Sequence, residues 1–286
     1  MKRLNNVCRV LVPSLFLVIL LAGCSATKGA LQNFNLFSLE DDKQMGYEMA
    51  LQIKQNSDNE YPLLDTVRYA GAYTHLRGIF NTVLNSGGLT YRNDFNWRIY
   101  IINKDVKNAF AVPGGYIFIY KGLIDYLDNE SQLAGVIAHE IAHVDRRHSS
   151  KQISKQYGTQ LLISLFLPQD ANEYLAALAA VGNSLVQLSF SRTDEYEADA
   201  VGTSLMAKTK YDPYETAGFF KKMMDGQAAT GQAFDFLSTH PSDDKRIASI
   251  QALCTSLGVQ PFTDAQKRIH VTNLNALKTK LKTPSR

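Results

Sequence analysis

The chain is poor in cysteine, with three in 286 residues, has a single tryptophan, and carries a net charge of only +3. Each shortage closes a class of function. Cys8, Cys24 and Cys254 cannot build a disulfide framework, and the reading below leaves Cys254 without a partner. Lysine and arginine are dispersed among acids, so the clustered positive charge that binds nucleic acid is missing. Long apolar runs are missing too. Val10–Leu20 would rise only about 16 Å as a helix against a hydrocarbon core of roughly 30 Å. Leu161–Leu167 stops at Pro168, and Leu175–Leu188 is interrupted by Asn183, Ser184 and Gln187, a pattern of packing helices rather than membrane spans. No internal repeat of solenoid length is present.

What is present begins with Lys2, Arg3 and Arg9 leading into the short apolar run, which closes on Leu21-Ala22-Gly23-Cys24. This reads as a secretory signal over residues 1–23. Ala22 and Gly23 before Cys24 resemble a bacterial lipobox, in which the cysteine takes a diacylglycerol and starts the mature chain; an ordinary cleaved signal is the alternative. Ser25, where many lipoproteins held at the inner membrane carry aspartate, implies by the same resemblance an outer-membrane anchor facing the periplasm. No acid balances the three basic residues of the signal, so its removal takes the net charge to zero. About 260 residues of ordinary apolar content then remain, enough for one good-sized core. The expected division is a tether over 24–39, a domain over 40–262 and a polar C-terminal tail over 263–286 with one possible helix.

The periodicity predicts an α+β fold, predominantly helical with a small mixed sheet. Helical spacing marks Glu40–Gln55 and Asp65–Asn85, the second with Asp65 as its N-cap and Asn85-Ser86-Gly87-Gly88 as its stop. Asn96–Ile102, Ala109–Val112 and Tyr116–Tyr120 are rich in aromatic and β-branched residues, with Pro113-Gly114-Gly115 turning the chain. From Asn129 to about Ala207 the period is helical again, broken near Arg147–Ser150, Pro168-Gln169-Asp170 and Ser191.

Within the helix from Asn129 to about Arg147 lies His139-Glu140-Ile141-Ala142-His143. Residues four apart share a helical face, so both imidazoles can point at one ion. Glu140 lies about 100° around the axis, where it can reach a water held by that ion. Zinc would lower the pKa of its water and polarise a carbonyl, with Glu140 as general base. The surrounding helix is apolar, and buried imidazoles and carboxylates are costly unless paired or metal-bound.

A zinc site needs a further ligand, and Glu195 and Asp199 share one face of the segment Thr193–Ala200, with Glu197 opposite. The combination of His139-Glu140-x-x-His143 with Glu195-x-x-Ala198-Asp199 resembles the gluzincin metallopeptidase family of the CAAX prenyl protease and the membrane protease HtpX. Asn108–Ile117 resembles that family's strand upstream of the zinc helix, and Ser238-Thr239-His240-Pro241 with Arg246 its downstream block. The resemblance implies a zincin-like fold, one Zn2+ per chain held by His139, His143 and Glu195, and Asp199 orienting a ligand imidazole, with Arg246 in the same surround. Lacking a membrane span, the chain resembles the periplasmic lipoprotein branch, whose implied substrates are misfolded or stalled envelope polypeptides.

Several roles stay open at this level. His240 would either close the fourth position on the metal, assist the transition state, or be a surface-loop histidine. Asn108, Ala109, Phe110, Ala111 and Val112 form either an edge strand on which extended substrate pairs or a structural strand. His148 follows the motif helix, where it can hydrogen-bond nearby, and is given no catalytic part, and His75 and His270 read as ordinary. Three functions follow: an active endopeptidase, a chaperone-like binding protein with a self-inhibited zinc site, and a structural zinc protein. The last is disfavoured because Glu140 stands beside a fourth position that the motif leaves open. Oligomeric state is not legible in the sequence.

Overall fold

The structure, a computed structural model, describes residues 35–55, 60–156 and 189–283. The signal, Cys24 and the apolar stretches Leu161–Leu167 and Leu175–Leu188 lie outside the described residues. Helices α1 (Leu39–Gln55) and α2 (Ala70–Leu84) precede strands β1 (Arg98–Ile102), β2 (Ala109–Val112) and β3 (Tyr116–Tyr120). Helices α3 (Lys121–Tyr126), α4 (Glu130–Asp145), α5 (Arg192–Met206), α6 (Tyr214–Thr230), α7 (Asp235–Thr239), α8 (Asp244–Ser256) and α9 (Asp264–Lys282) follow. Residues 148–156 are also helical. Among the described residues no helix is long and apolar enough to cross a membrane.

The sheet is mixed, in the order β1-β3-β2, with β1 parallel and β2 antiparallel to β3. Alternation along its strands separates two cores. Ile99, Ile101, Ala109, Ala111, Ile117 and Ile119 join the main core with the helices, whereas Phe110, Val112, Phe118 and Tyr120 meet Met45 and Met49 of α1 on the other face. Gly114, at φ 74°, adopts a left-handed turn that brings β2 back along β3.

One sequence expectation moves. Asp65 does not cap α2: its carboxylate accepts the backbone N–H groups of Val67 and Arg68, an Asx-type turn that delays the helix to Ala70. The helix expected in the polar C-terminal segment is α9. Thr263 and Gln266 form a capping box, and His270, Leu274, Leu277 and Leu281 make one buried stripe against the domain.

The helix that carries the histidine motif is buried along its whole length. Its start is set by Asn129, whose side chain accepts from Gln132 N–H. Glu130, the next residue, is buried and favourably placed at the positive end of the helix dipole. It ties three helices together: His75 Nε2 of α2 lies 2.8 Å from its Oε1, and on its Oε2 stand Asn273 Nδ2 at 3.0 Å and His270 Nδ1 at 3.4 Å, both from α9. His75 and His270 are therefore not ordinary. Their partners come from segments far apart in sequence, so nothing local in either histidine's neighbourhood signals the contact.

Burial alone would raise Glu130's pKa, but the contacts from His270, His75 and Asn273 outweigh it and hold the carboxyl well below its usual range. A depressed carboxylate adds stability above its unfolded pKa, about 4.3, and that stability is lost as pH falls through the folded value. Glu130→Gln should therefore cost about 2 kcal/mol at neutral pH. The deficit should shrink in acid, as read by denaturant unfolding at both ends of the range; an equal deficit at pH 3 and pH 7 would show that charge is not involved.

Candidate metal centre

The site is assembled where α4 and α5 cross. Ser191 and Asp194 form a complete capping box that fixes the start of α5, and Glu195 is the next residue inward. Gly202, two turns further on, lets α5 approach α4 closely. A Cβ there would stand 3.1 Å from the Ala138 carbonyl carbon and 3.2 Å from His139 N. Even a methyl group here would press on the α4 backbone by a few tenths of an ångström, beside the residue that bears His139.

His139 and His143 share a face as their spacing predicts, Glu195 meets them as the resemblance implies, and His240 joins them; this is the group of donors among the described residues that could hold a metal ion. His139 Nε2 lies 3.0 Å from His143 Nε2, 3.3 Å from His240 Nδ1 and 3.3 Å from Glu195 Oε2. Glu195 Oε1 is 3.4 Å from His143 Nε2 and 3.1 Å from His240 Nδ1. Donors bound tetrahedrally at about 2.1 Å from an ion stand roughly 3.4 Å apart. All four residues are buried and their ligating atoms face one another, a packing that an ion would relieve. The donor set of imidazoles and one carboxylate suits zinc and other first-row divalent ions.

His240 is thus a buried partner of the cluster, not a surface-loop residue, and the fourth position is not open in this conformation. Its place follows from α7, whose last turn delivers His240 N–H to Phe236 O at 2.8 Å, with the Phe236 ring stacked 4.6 Å from the imidazole. While Nδ1 faces the donors, Nε2 lies 3.4 Å from Glu140 Oε1. Glu140 stays outside the donor group, as its position on the helix requires, and its carboxylate is buried, with the backbone of Ala111 in β2 as a hydrogen-bond partner. Burial raises its carboxyl above the ordinary value despite the nearby imidazoles of His240 and His139.

Behind the donors, Asp199 Oδ1 lies 3.0 Å from His139 Nδ1, the orienting place expected for it. Arg246 is buried across both carboxylates: Nε and Nη2 each bond Asp199 at 2.7 Å, and Nη1 lies 2.7 Å from Glu195 Oε2. Its guanidinium also sits 4.2 Å over the ring of Phe220. Burial would raise Asp199's pKa, but Arg246 and His139 outweigh it and keep the group a carboxylate. Burial likewise pushes His143 well below its ordinary value, whereas Asp199 and Glu195 outweigh burial at His139 and lift it to about 9.

The candidate substrate strand is β2, an edge strand among the described residues that packs beside α4. Ala109 and Ala111 turn their side chains to the core shared with α4, whereas Phe110 and Val112 turn away from it. Asn108 lies just before the strand, and its side chain accepts the N–H of Ala109. The backbone N–H of Phe236 donates to Lys107 O at 3.1 Å, so the segment leading to His240 is docked at the start of this edge.

Sequence reasoning missed the aromatic wall. Phe190 lies 4.2 Å from the His143 ring and Phe220 5.8 Å from His139, so the imidazoles are packed as well as paired. His148, given a nearby hydrogen bond but no catalytic part from the sequence, is fully buried against His143. Its position just past the motif helix was a signal, but its direction depends on how that helix ends.

Residues 73–254 match the profile of peptidase family M48. The mitochondrial metalloendopeptidase OMA1 of Schizosaccharomyces pombe is 29% identical over 225 residues, covering 77% of this chain and 63% of the relative. The beta-barrel assembly-enhancing protease of Escherichia coli K12 is 32% identical over 162 residues, covering 53% of this chain and 33% of the relative. That of Yersinia pestis is 29% identical over 180 residues, 59% of this chain and 37% of the relative. The chain thus spans between a third and just under two thirds of the length of these relatives.

Proposed function

The chain belongs to peptidase family M48, and from that premise we propose that it is a zinc-dependent endopeptidase acting on misfolded or stalled polypeptides of the bacterial envelope. The observation that carries the reading is the convergence of His139, His143 and Glu195 with the buried carboxylate of Glu140 beside them and outside the donor group. Those three residues would hold the ion. A divalent ion bound there supplies Lewis acidity, which lowers the pKa of a coordinated water and polarises the scissile carbonyl. Glu140 takes the proton of the attacking water and delivers it to the leaving amine. Asp199 fixes His139, and Arg246 fixes both Glu195 and Asp199. Substrate would lie extended along Ala109–Val112, pairing with the outer edge of β2.

The similarity to beta-barrel assembly-enhancing proteases supports an envelope substrate, and the lipobox at Cys24 supports a lipid anchor on the periplasmic face of the outer membrane. A second reading, a chaperone-like protein whose zinc site is shut by its own chain, is favoured by His240 standing among the donors. One set of assays separates the two. An unfolded polypeptide should be cut by the zinc-loaded protein, spared after chelation, and cut again when zinc is restored. If the loaded protein binds the polypeptide without cutting it, while His240→Ala cuts, the self-closed reading holds. Cleavage that survives complete metal removal would end the metallopeptidase proposal.

A further inference from the structure

Helix α4 ends in an unusual way. Arg147 has φ 57°, the left-handed region, and is the one non-glycine residue there among the described residues. That conformation is disfavoured for an ordinary side chain and persists only where the surroundings hold it. Here Arg147 Nε donates to Asp42, and Nη2 donates to the carbonyls of Phe37 and Ser38, at the start of α1. The left-handed residue stops one helix and starts the next at once, as helical residues resume at 148. The abrupt reversal places His148 back against the helix just left. Its Nδ1 lies 3.0 Å from His143 Nδ1, and the rings meet at 76°.

The atoms in contact restrict where the hydrogens can be. His143 faces the donor group with Nε2, so Nδ1 is its rear nitrogen. An imidazole that offers an Nε2 lone pair to a metal carries its hydrogen on Nδ1. That hydrogen points at His148 Nδ1, which must accept. His148 then carries its own hydrogen on Nε2, and Nε2 lies 3.3 Å from Glu197 Oε2 and 3.8 Å from Asp194 Oδ1. Both requirements are met by one tautomer.

We propose that His148 is the positioning residue of the second metal imidazole: it accepts the Nδ1 hydrogen of His143 and passes its own Nε2 hydrogen to Glu197, with the left-handed turn at Arg147 setting its place. The two ligand imidazoles are thereby backed differently, His139 by the carboxylate of Asp199 and His143 by a neutral ring with a carboxylate behind it. Glu197, on the face of α5 away from the donors, gains a role through that ring. The proposal rests on the reading that the donor cluster holds a divalent ion.

Zinc affinity, measured by competition with a chromophoric chelator, tests it, with cobalt absorption reporting the ligand field. His148→Leu should bind zinc about 10- to 100-fold more weakly than wild type, the usual effect of removing an outer partner of a ligand. His148→Asn places an amide oxygen where Nδ1 stands and should recover most of that loss and the wild-type cobalt spectrum. A leucine variant with wild-type affinity overturns the proposal, and so does an asparagine variant as weak as leucine. Nitrogen-15 spectra of the zinc-loaded wild type need no variant and should show His148 with its hydrogen on Nε2; a hydrogen on Nδ1 overturns the proposal even if the variants fail to fold. None of these readouts is cleavage. Failure of the peptidase reading would instead appear as normal zinc binding without hydrolysis.

Discussion

Glu140→Gln should reduce cleavage of an unfolded polypeptide by about 10³-fold, within the span that general base catalysis contributes, while zinc content stays at that of wild type. The substitution keeps the shape of the side chain and removes its ability to take a proton. Zinc should be retained because Glu140 is not one of the donors: its nearest polar neighbour in the cluster is His240 Nε2, at 3.4 Å. The fold should also be retained. Burial raises the Glu140 carboxyl, so its charged form is held at a cost that the neutral amide does not incur. A raised acid costs stability above its folded pKa, and the metal-stripped variant should therefore melt no lower than metal-stripped wild type at neutral pH. Activity, metal content and melting temperature together make the test specific. Cleavage within a few-fold of wild type would remove Glu140 from the chemistry, and loss of zinc would make it a ligand.

That much was legible because helical geometry does the work over short distances. Two histidines four apart on an apolar helix must share a face, and a glutamate one position on must lie to the side; the coordinates repeat both relations. Glu195 and Asp199 obeyed the same rule on a second helix, but their meeting with the first was implied by resemblance, since helix packing depends on details such as Gly202 against Ala138. His148 was legible as a hydrogen-bonding residue just past the motif helix, but its partner His143 was not, for a physical reason. The direction of His148 is set by a left-handed arginine, and non-glycine residues do not announce positive φ in a sequence. His75 and His270 were misjudged because their partner Glu130 joins three separate segments. The last helix was legible as a helix, but not its docking, which rests on a stripe of three leucines that meet the core. The closed fourth position also needed coordinates, since α7 decides where His240 points.

Arg246→Met should be the most damaging substitution for the fold, at about 4 kcal/mol for breaking a buried ion network by deleting one member. That corresponds to a fall of about 12 °C in melting temperature for a domain of this size. Arg246 is among the largest fully buried side chains, and its guanidinium meets the carboxylates of Glu195 and Asp199 and the carbonyl of Pro241. Methionine would fill the volume beside Phe220 but leave both carboxylates without their cation. Arg246→Lys should rescue little, because a point charge cannot reproduce the planar fork that bridges two acids and a carbonyl. The pH dependence supplies an independent check. Asp199 is depressed in the fold once Arg246 and His139 outweigh its burial, so its contribution is fully present above an unfolded pKa of about 3.9 and is lost as pH falls through the folded value. The gap between wild type and Arg246→Met should therefore be full at pH 7 and narrow in strong acid. Zinc should bind more weakly as well, since the same guanidinium holds a ligand and the acid behind another. Wild-type melting in Arg246→Met, or full recovery by lysine, would mean that the donors are positioned by helix packing alone, with Gly202 rather than Arg246 setting where Glu195 stands.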